Sequence, residues 1–246
     1  MKLFLTLTLS VSFLSIAFAQ EKRDPMNGRA VIEQMYNHYK GEWYKNLTFT
    51  QKTTTYKEGN PEKEEIWYEA LSIPHGLAIK FENMKSGNGL TFKGDSQYVW
   101  KDDRIVSRTR TTHVLLILGF SVYIDKPDAT IDKLQKSGYD FERFEIDTLT
   151  GKKQYVIGNP DICRFWIDAE TMLFTKMENK GRKGNMFQTQ FNKYEKLGKG
   201  WIAVEVVFMR NGVVTSREEY RNIATPKKLP ANLLSTTDTF SDLHWE

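Results

Sequence analysis

A chain of 246 residues with 40% hydrophobic and 27% charged residues has enough apolar material for a sizeable core and is too hydrophobic for a disordered chain. Its formal net charge of +4 is mild, and its basic residues form no block of the kind that marks a nucleic-acid footprint. Cys163 is the only cysteine, so an intramolecular disulfide is excluded.

The chain opens with the three parts of an export signal. Lys2 supplies the basic start, an apolar stretch runs from Leu3 to Phe18, and Ala17-Phe18-Ala19 fits the small-x-small cleavage rule. The apolar run is short for a bilayer span of about 20 residues. The expectation is a signal peptide over 1–19, cleaved after Ala19, and a single exported domain over 20–246.

One helix begins the mature chain. Ile32, Met35, Tyr36 and Tyr39 follow the i, i+3, i+4, i+7 spacing of an apolar stripe, with Asn27 or Asp24 as cap and Gly41 as stop. The period then changes to two. Leu47 and Phe49 alternate with threonines, Ile66 and Tyr68 with Glu65 and Glu69, and Ile79 and Phe81 with Lys80 and Glu82. Turn signals separate these strands at Glu58-Gly59-Asn60-Pro61, Ile73-Pro74-His75-Gly76, Gly87-Asn88-Gly89 and Lys101-Asp102-Asp103-Arg104. Asn211-Gly212, between Val204–Phe208 and Val213–Tyr220, is the strongest hairpin signal in the chain. Arg104, Arg108 and Arg110 read as one solvated strand face.

The middle breaks the pattern. Val114–Leu118 is a run too short for periodicity to decide between a buried strand and a helix; its leucine content favours a helix stopped by Gly119, and Asp128–Lys136 reads as a short polar helix ending at Gly138. Strands resume at Phe141–Asp147 and Lys153–Gly158, followed by a strand-turn-strand from Arg164 to Met177. Residues 226–246 read as an irregular tail. The fold class is mainly β within α+β: repeated hairpins make a meander, and a long meander closes or nearly closes to protect its edges.

The order helix, strands, inserted helices, strands, tail resembles the bacterial lipoprotein-sorting carriers of the periplasm, the LolA/LolB-like group. The resemblance is carried by Leu47-Thr48-Phe49-Thr50-Gln51, Gln97-Tyr98-Val99-Trp100, the Phe165–Met177 strand-turn-strand and Leu229-Pro230-Ala231-Asn232-Leu233-Leu234. It implies an incomplete antiparallel β-barrel of about eleven strands, with a helical lid over an apolar cavity for acyl chains. It also implies a periplasmic location and membrane-bound donor and acceptor proteins. The lid arginine of that group matches no single residue here, and no lipidated cysteine is present.

A carrier needs no catalytic group, and the chain shows none. His38, His75, His113 and His244 are dispersed without metal-ligand spacing. Glu64-Glu65 and Asp102-Asp103 are adjacent carboxylates whose side chains diverge on a strand. There is no Gly-x-Ser-x-Gly elbow or phosphate-cradling loop. Cys163 reads as a small buried residue. The expected lipid-binding lining is Leu47, Phe49, Ile66, Tyr68, Ile79, Phe81, Ile105, Phe165, Ile167, Val204, Val206 and Phe208. The reading is a monomeric, non-enzymatic carrier without cofactor, binding a lipid or the acylated end of a lipoprotein. The alternatives are a protein-binding module on the same scaffold with a filled core and, behind it, a hydrolase on a lipocalin-like sheet.

Overall fold

The computed structural model describes residues 24–149 and 151–245; the expected export signal lies outside them. Helix α1 (Gly28–Tyr39) starts at Asn27, whose side chain accepts from the Ala30 N–H at 2.9 Å, and it buries Val31, Ile32, Met35 and Tyr39. Six strands follow: β1 (Asn46–Lys57), β2 (Asn60–Ser72), β3 (Gly76–Phe81), β4 (Gly89–Lys93), β5 (Ser96–Lys101) and β6 (Arg104–Arg110). Helices α2 (Val114–Gly119) and α3 (Pro127–Lys136) flank a 3-10 turn at Ser121–Tyr123. The remaining strands are β7 (Phe144–Asp147), β8 (Gln154–Asn159), β9 (Cys163–Asp168), β10 (Phe174–Lys180), β11 (Met186–Leu197), β12 (Gly200–Arg210) and β13 (Val213–Ala224).

All thirteen strands form one antiparallel sheet in the order β6-β5-β4-β3-β2-β1-β13-β12-β11-β10-β9-β8-β7. Each strand pairs with its sequence neighbour except at one place. β6 and β7 stand at opposite edges, and the chain between them carries α2 and α3. The sheet is an open, barrel-like meander with two strands more than the resemblance implies. Its edges resist pairing with other chains: β7 is four residues long, and β6 is exposed along its length and carries Arg104, Arg108 and Arg110. At the β12–β13 hairpin, Asn211 and Gly212 have φ of 51° and 79°, the left-handed values a two-residue turn demands.

The strand expected from Phe141 begins only at Phe144. Tyr139 and Phe141 instead turn into the core and meet Phe165 edge-on, with centroids 5.3 and 6.3 Å apart. Around them the half of the sheet under α1 and α3 is filled. Ile32, Met35, Ile131, Leu134, Phe165, Ile167 and Phe174 are all fully buried there.

A second, smaller core lies on the outer face. Residues 226–245 lack helix or strand, yet Leu233, Phe240 and Leu243 pack on Ala70, Ala78 and Trp100. Phe240 stacks on Trp100 at 4.8 Å with 7° between the rings. A Cβ at Gly89 would meet the Ile79 carbonyl oxygen at 2.0 Å and Phe240 at 2.7 Å, so this crossing needs a glycine. Lys80 is completely buried beneath the tail. Its ammonium donates to the carbonyls of Met84 at 2.7 Å and Ser241 at 3.2 Å, and burial lowers its pKa to about 8. Asp103 reaches over to accept from the Ser241 N–H at 2.6 Å.

Because the tail is packed, Phe240→Ala should lower the free energy of unfolding by about 3–5 kcal/mol, the usual result of deleting a buried ring. Denaturant titration checks this. A loss below about 1 kcal/mol would mean that the tail only rests on the sheet.

Candidate functional site: a lidded apolar cavity

The two sides of the sheet sort by register. Phe49, Glu69, Ile79 and Leu90 are successive partners across β1 to β4 and face inward. Gln51, Trp67 and Phe81 form the inner row on one side of it, and Leu47, Leu71, Leu77 and Phe92 the inner row on the other. Across the β1–β13 seam, Gln51 faces Tyr220 and Thr53 faces Glu218, which in turn faces Val206 and then Phe191. The outer face holds Tyr68, Lys80, Gly89 and Trp100 in one row.

α2 spans only six residues, too short to fill the inner face it covers, and a cavity of about 200 Å³ remains beneath it. Its walls are Phe49, Leu71, Leu77, Ile79, Leu90, Phe92, Val206 and Phe208, with Leu115, Leu116 and Phe120 as the roof. A second compartment of about 230 Å³ shares Leu71, Phe92, His113, Leu116 and Phe120 with the first and adds polar groups such as Asp95, Thr111 and Lys133. Small-molecule sites occupy roughly 300–1,000 Å³; either compartment falls short alone, and the two in series reach that range.

His113 belongs to the lid. Its Nδ1 accepts from the Leu116 N–H at 3.3 Å, so it caps α2, and its ring stands edge-on to Phe92 at 4.5 Å. Burial lowers its pKa to about 4, so the imidazole is neutral and free to accept.

Polar groups sit among the apolar walls. Glu69 is 5% exposed, and burial together with the nearby Glu218 charge holds its carboxyl well above the usual range. Glu218 is pushed up to about 7 by burial, against the hydrogen bonds of Tyr220 and Gln51; the Tyr220 hydroxyl donates to Glu218 Oε2 at 3.1 Å. Tyr220 also packs on Phe49, centroids 4.3 Å apart. The Trp67 Nε1 is buried without an acceptor. No lysine or arginine lines this compartment among the described residues.

The twelve residues expected as lining separate into groups. Phe49, Ile79, Val206 and Phe208 line the cavity. Phe81 faces inward and packs on Trp67 with centroids 5.0 Å apart, and Val204 is half-buried against the core. Leu47, Phe165 and Ile167 are buried in filled parts of the core. Ile66, Tyr68 and Ile105 correct the expectation: they stand on the outer parity, Ile66 39% exposed and Ile105 37% exposed opposite Trp100. In β2 the inward parity belongs to Trp67, Glu69 and Leu71. A glutamate at its centre reads as solvent-facing, and only the flanking Trp67 and Leu71 signalled otherwise. Glu218 and Tyr220 were missed for the same reason.

Elsewhere, Cys163 is buried and its thiol is pushed up to about 11, the state of an unreactive packing residue. Among the described residues, no group of three His, Cys, Asp or Glu is placed to hold a metal ion, and no helix is long and apolar enough to cross a membrane.

These features define a class: an open antiparallel half-barrel whose inner face is covered by short helices around an apolar cavity. This is the LolA-like fold. A LolA superfamily protein from Nitrosomonas europaea superposes with a TM-score of 0.58 at 11% identity, covering 86% of this chain and 98% of its own. A DUF1329 family protein from Desulfovibrio piger gives 0.60 at 12% identity over 85% and 95%. A domain assigned to outer membrane lipoprotein sorting from Vibrio parahaemolyticus gives 0.59 at 12% identity over 87% and 98%. No family model and no curated sequence matches the chain. The fold is thus shared at 11–12% identity.

Glu218 makes the cavity sensitive to pH. A carboxyl whose pKa rises on folding contributes stability that is full below its ordinary value of 4.5 and is lost as the pH climbs through about 7. Thermal melts across pH 4.5 to 7 should therefore fall less steeply for Glu218→Gln than for the unaltered chain. Equal slopes would mean that Glu218 is solvated.

Proposed function

We propose that this protein is an exported, periplasmic carrier that holds a lipid, or the acylated end of a lipoprotein, in the cavity under α2 and passes it to a membrane partner. The observation that supports this reading is the cavity itself: an unfilled apolar space between a sheet and a six-residue lid. Each buried methylene contributes about 0.8 kcal/mol, so a chain lodged against Phe49, Ile79 and Phe208 can compete with a membrane. The LolA-like fold and the lipoprotein-sorting assignment of the Vibrio parahaemolyticus domain support the same reading. In this mechanism, Leu115 and Leu116 shield the cargo from water, and displacement of α2 opens the cavity for transfer. The chemistry is shielding and release, with no bond made or broken.

Native mass spectrometry with organic extraction tests this on residues 20–246 purified from the periplasm without detergent. The expected result is a stoichiometric lipid mass. A clean apo mass that also resists loading with fatty acid, long-chain amine and lipopeptide alike would overturn the reading in favour of a protein-binding module. Phe208→Glu and Phe49→Glu should each cut lipid occupancy more than about tenfold, because a carboxylate would be buried against the acyl chain. Undiminished occupancy in both, with folding intact, would remove the cargo from this cavity.

A further inference from the structure

An apolar cargo gives no reason for two carboxyl groups inside its cavity. An unpaired carboxylate in an apolar site is costly, so buried charges are normally paired. Glu218 has Tyr220 and Gln51 as partners, whereas Glu69, 5% exposed, accepts a hydrogen bond from no described residue. Of the other titratable groups in the lining, Tyr220 already donates to Glu218, and the His113 Nδ1 is taken by the Leu116 N–H. No protein cation is available there among the described residues. Two positions from Glu69 on the same strand face, the Trp67 Nε1 is also buried without a partner. An unpaired carboxyl thus stands at the wall of an unfilled cavity, where a ligand's polar end can pair it.

We propose, resting on the carrier reading, that the cavity selects amphiphiles whose polar end is a protonated amine, seated against Glu69 and Glu218. The amine donates to Glu69, and its charge offsets the two carboxyl groups. The alkyl chain runs along Phe49, Ile79, Leu90 and Phe208. Carboxylate amphiphiles are rejected, because they would place a third acidic group in the same apolar space with no cation to meet it. The amine can belong to a long-chain amine or to a lipid headgroup.

Calorimetric titration at pH 8 with dodecylamine, dodecanol and dodecanoate tests the selection. Dodecylamine should bind at least about tenfold more tightly than dodecanoate, the weight of one charge-assisted hydrogen bond. Glu69→Gln, checked for cooperative unfolding, should erase most of that preference, and Glu218→Gln should reduce it. If dodecanoate binds as tightly as dodecylamine, or the preference survives in both variants, the selection is overturned while the carrier stands. If none of the three binds, the carrier reading falls and the selection with it. With dodecylamine preferred, tighter binding of lysophosphatidylethanolamine than of lysophosphatidylglycerol supports a headgroup amine, and equal binding supports the long-chain amine.

Discussion

Two meanders, β1–β6 and β7–β13, become one sheet only because β1 pairs with β13. This seam joins residues more than 160 positions apart; the Asn222 side chain, for example, donates to Thr50 across 172 positions. Without it, each meander would expose an additional long edge, and the inner face would be divided. With it, Phe49 and Gln51 of β1 lie between Glu69 of β2 and Glu218 and Tyr220 of β13. The walls of the cavity come from both sides of the seam, so the register there sets which side chains meet.

The cavity follows from a mismatch of areas. α1 and α3 supply Val31, Ile32, Met35, Ile131 and Leu134, enough apolar surface to fill the space over one half of the sheet. α2 supplies a few leucines over the other half. A filled core would gain more contact energy, since interiors normally pack to near-crystalline density. The polar side chains in the unfilled half add a second cost, because the Trp67 indole N–H is withdrawn from water with nothing to bond and Glu69 is largely buried. Cost of this kind is concentrated where a ligand would relieve it.

Much of the architecture was legible because local rules applied without interference. The α1 stripe, its Asn27 cap and the Asn211-Gly212 hairpin all follow from periodicity or backbone chemistry within a few residues. The side-chain parity of β2 did not, because the period-two rule assumes one wet face. Here Tyr68 and Ala70 face outward beside a region roofed by Leu233, Phe240 and Leu243, so both faces of the strand carry apolar residues. The cover comes from a tail with no periodic signal, some 160 positions away from Lys80. The glutamates were missed because a buried acid is read from its surroundings, and those lie on other strands.

The burial of Lys80 by the tail has a kinetic side. The Lys80 ammonium and the Asp103 carboxylate both wait for Ser241, which lies 161 and 138 positions further along the chain. Until then β3 to β5 present an unroofed apolar strip with a cation in its middle, an unfavourable surface to consolidate. Contacts of such long sequence separation form late and slowly. The tail, and not the sheet that it covers, therefore sets when Lys80 leaves water and the outer face closes.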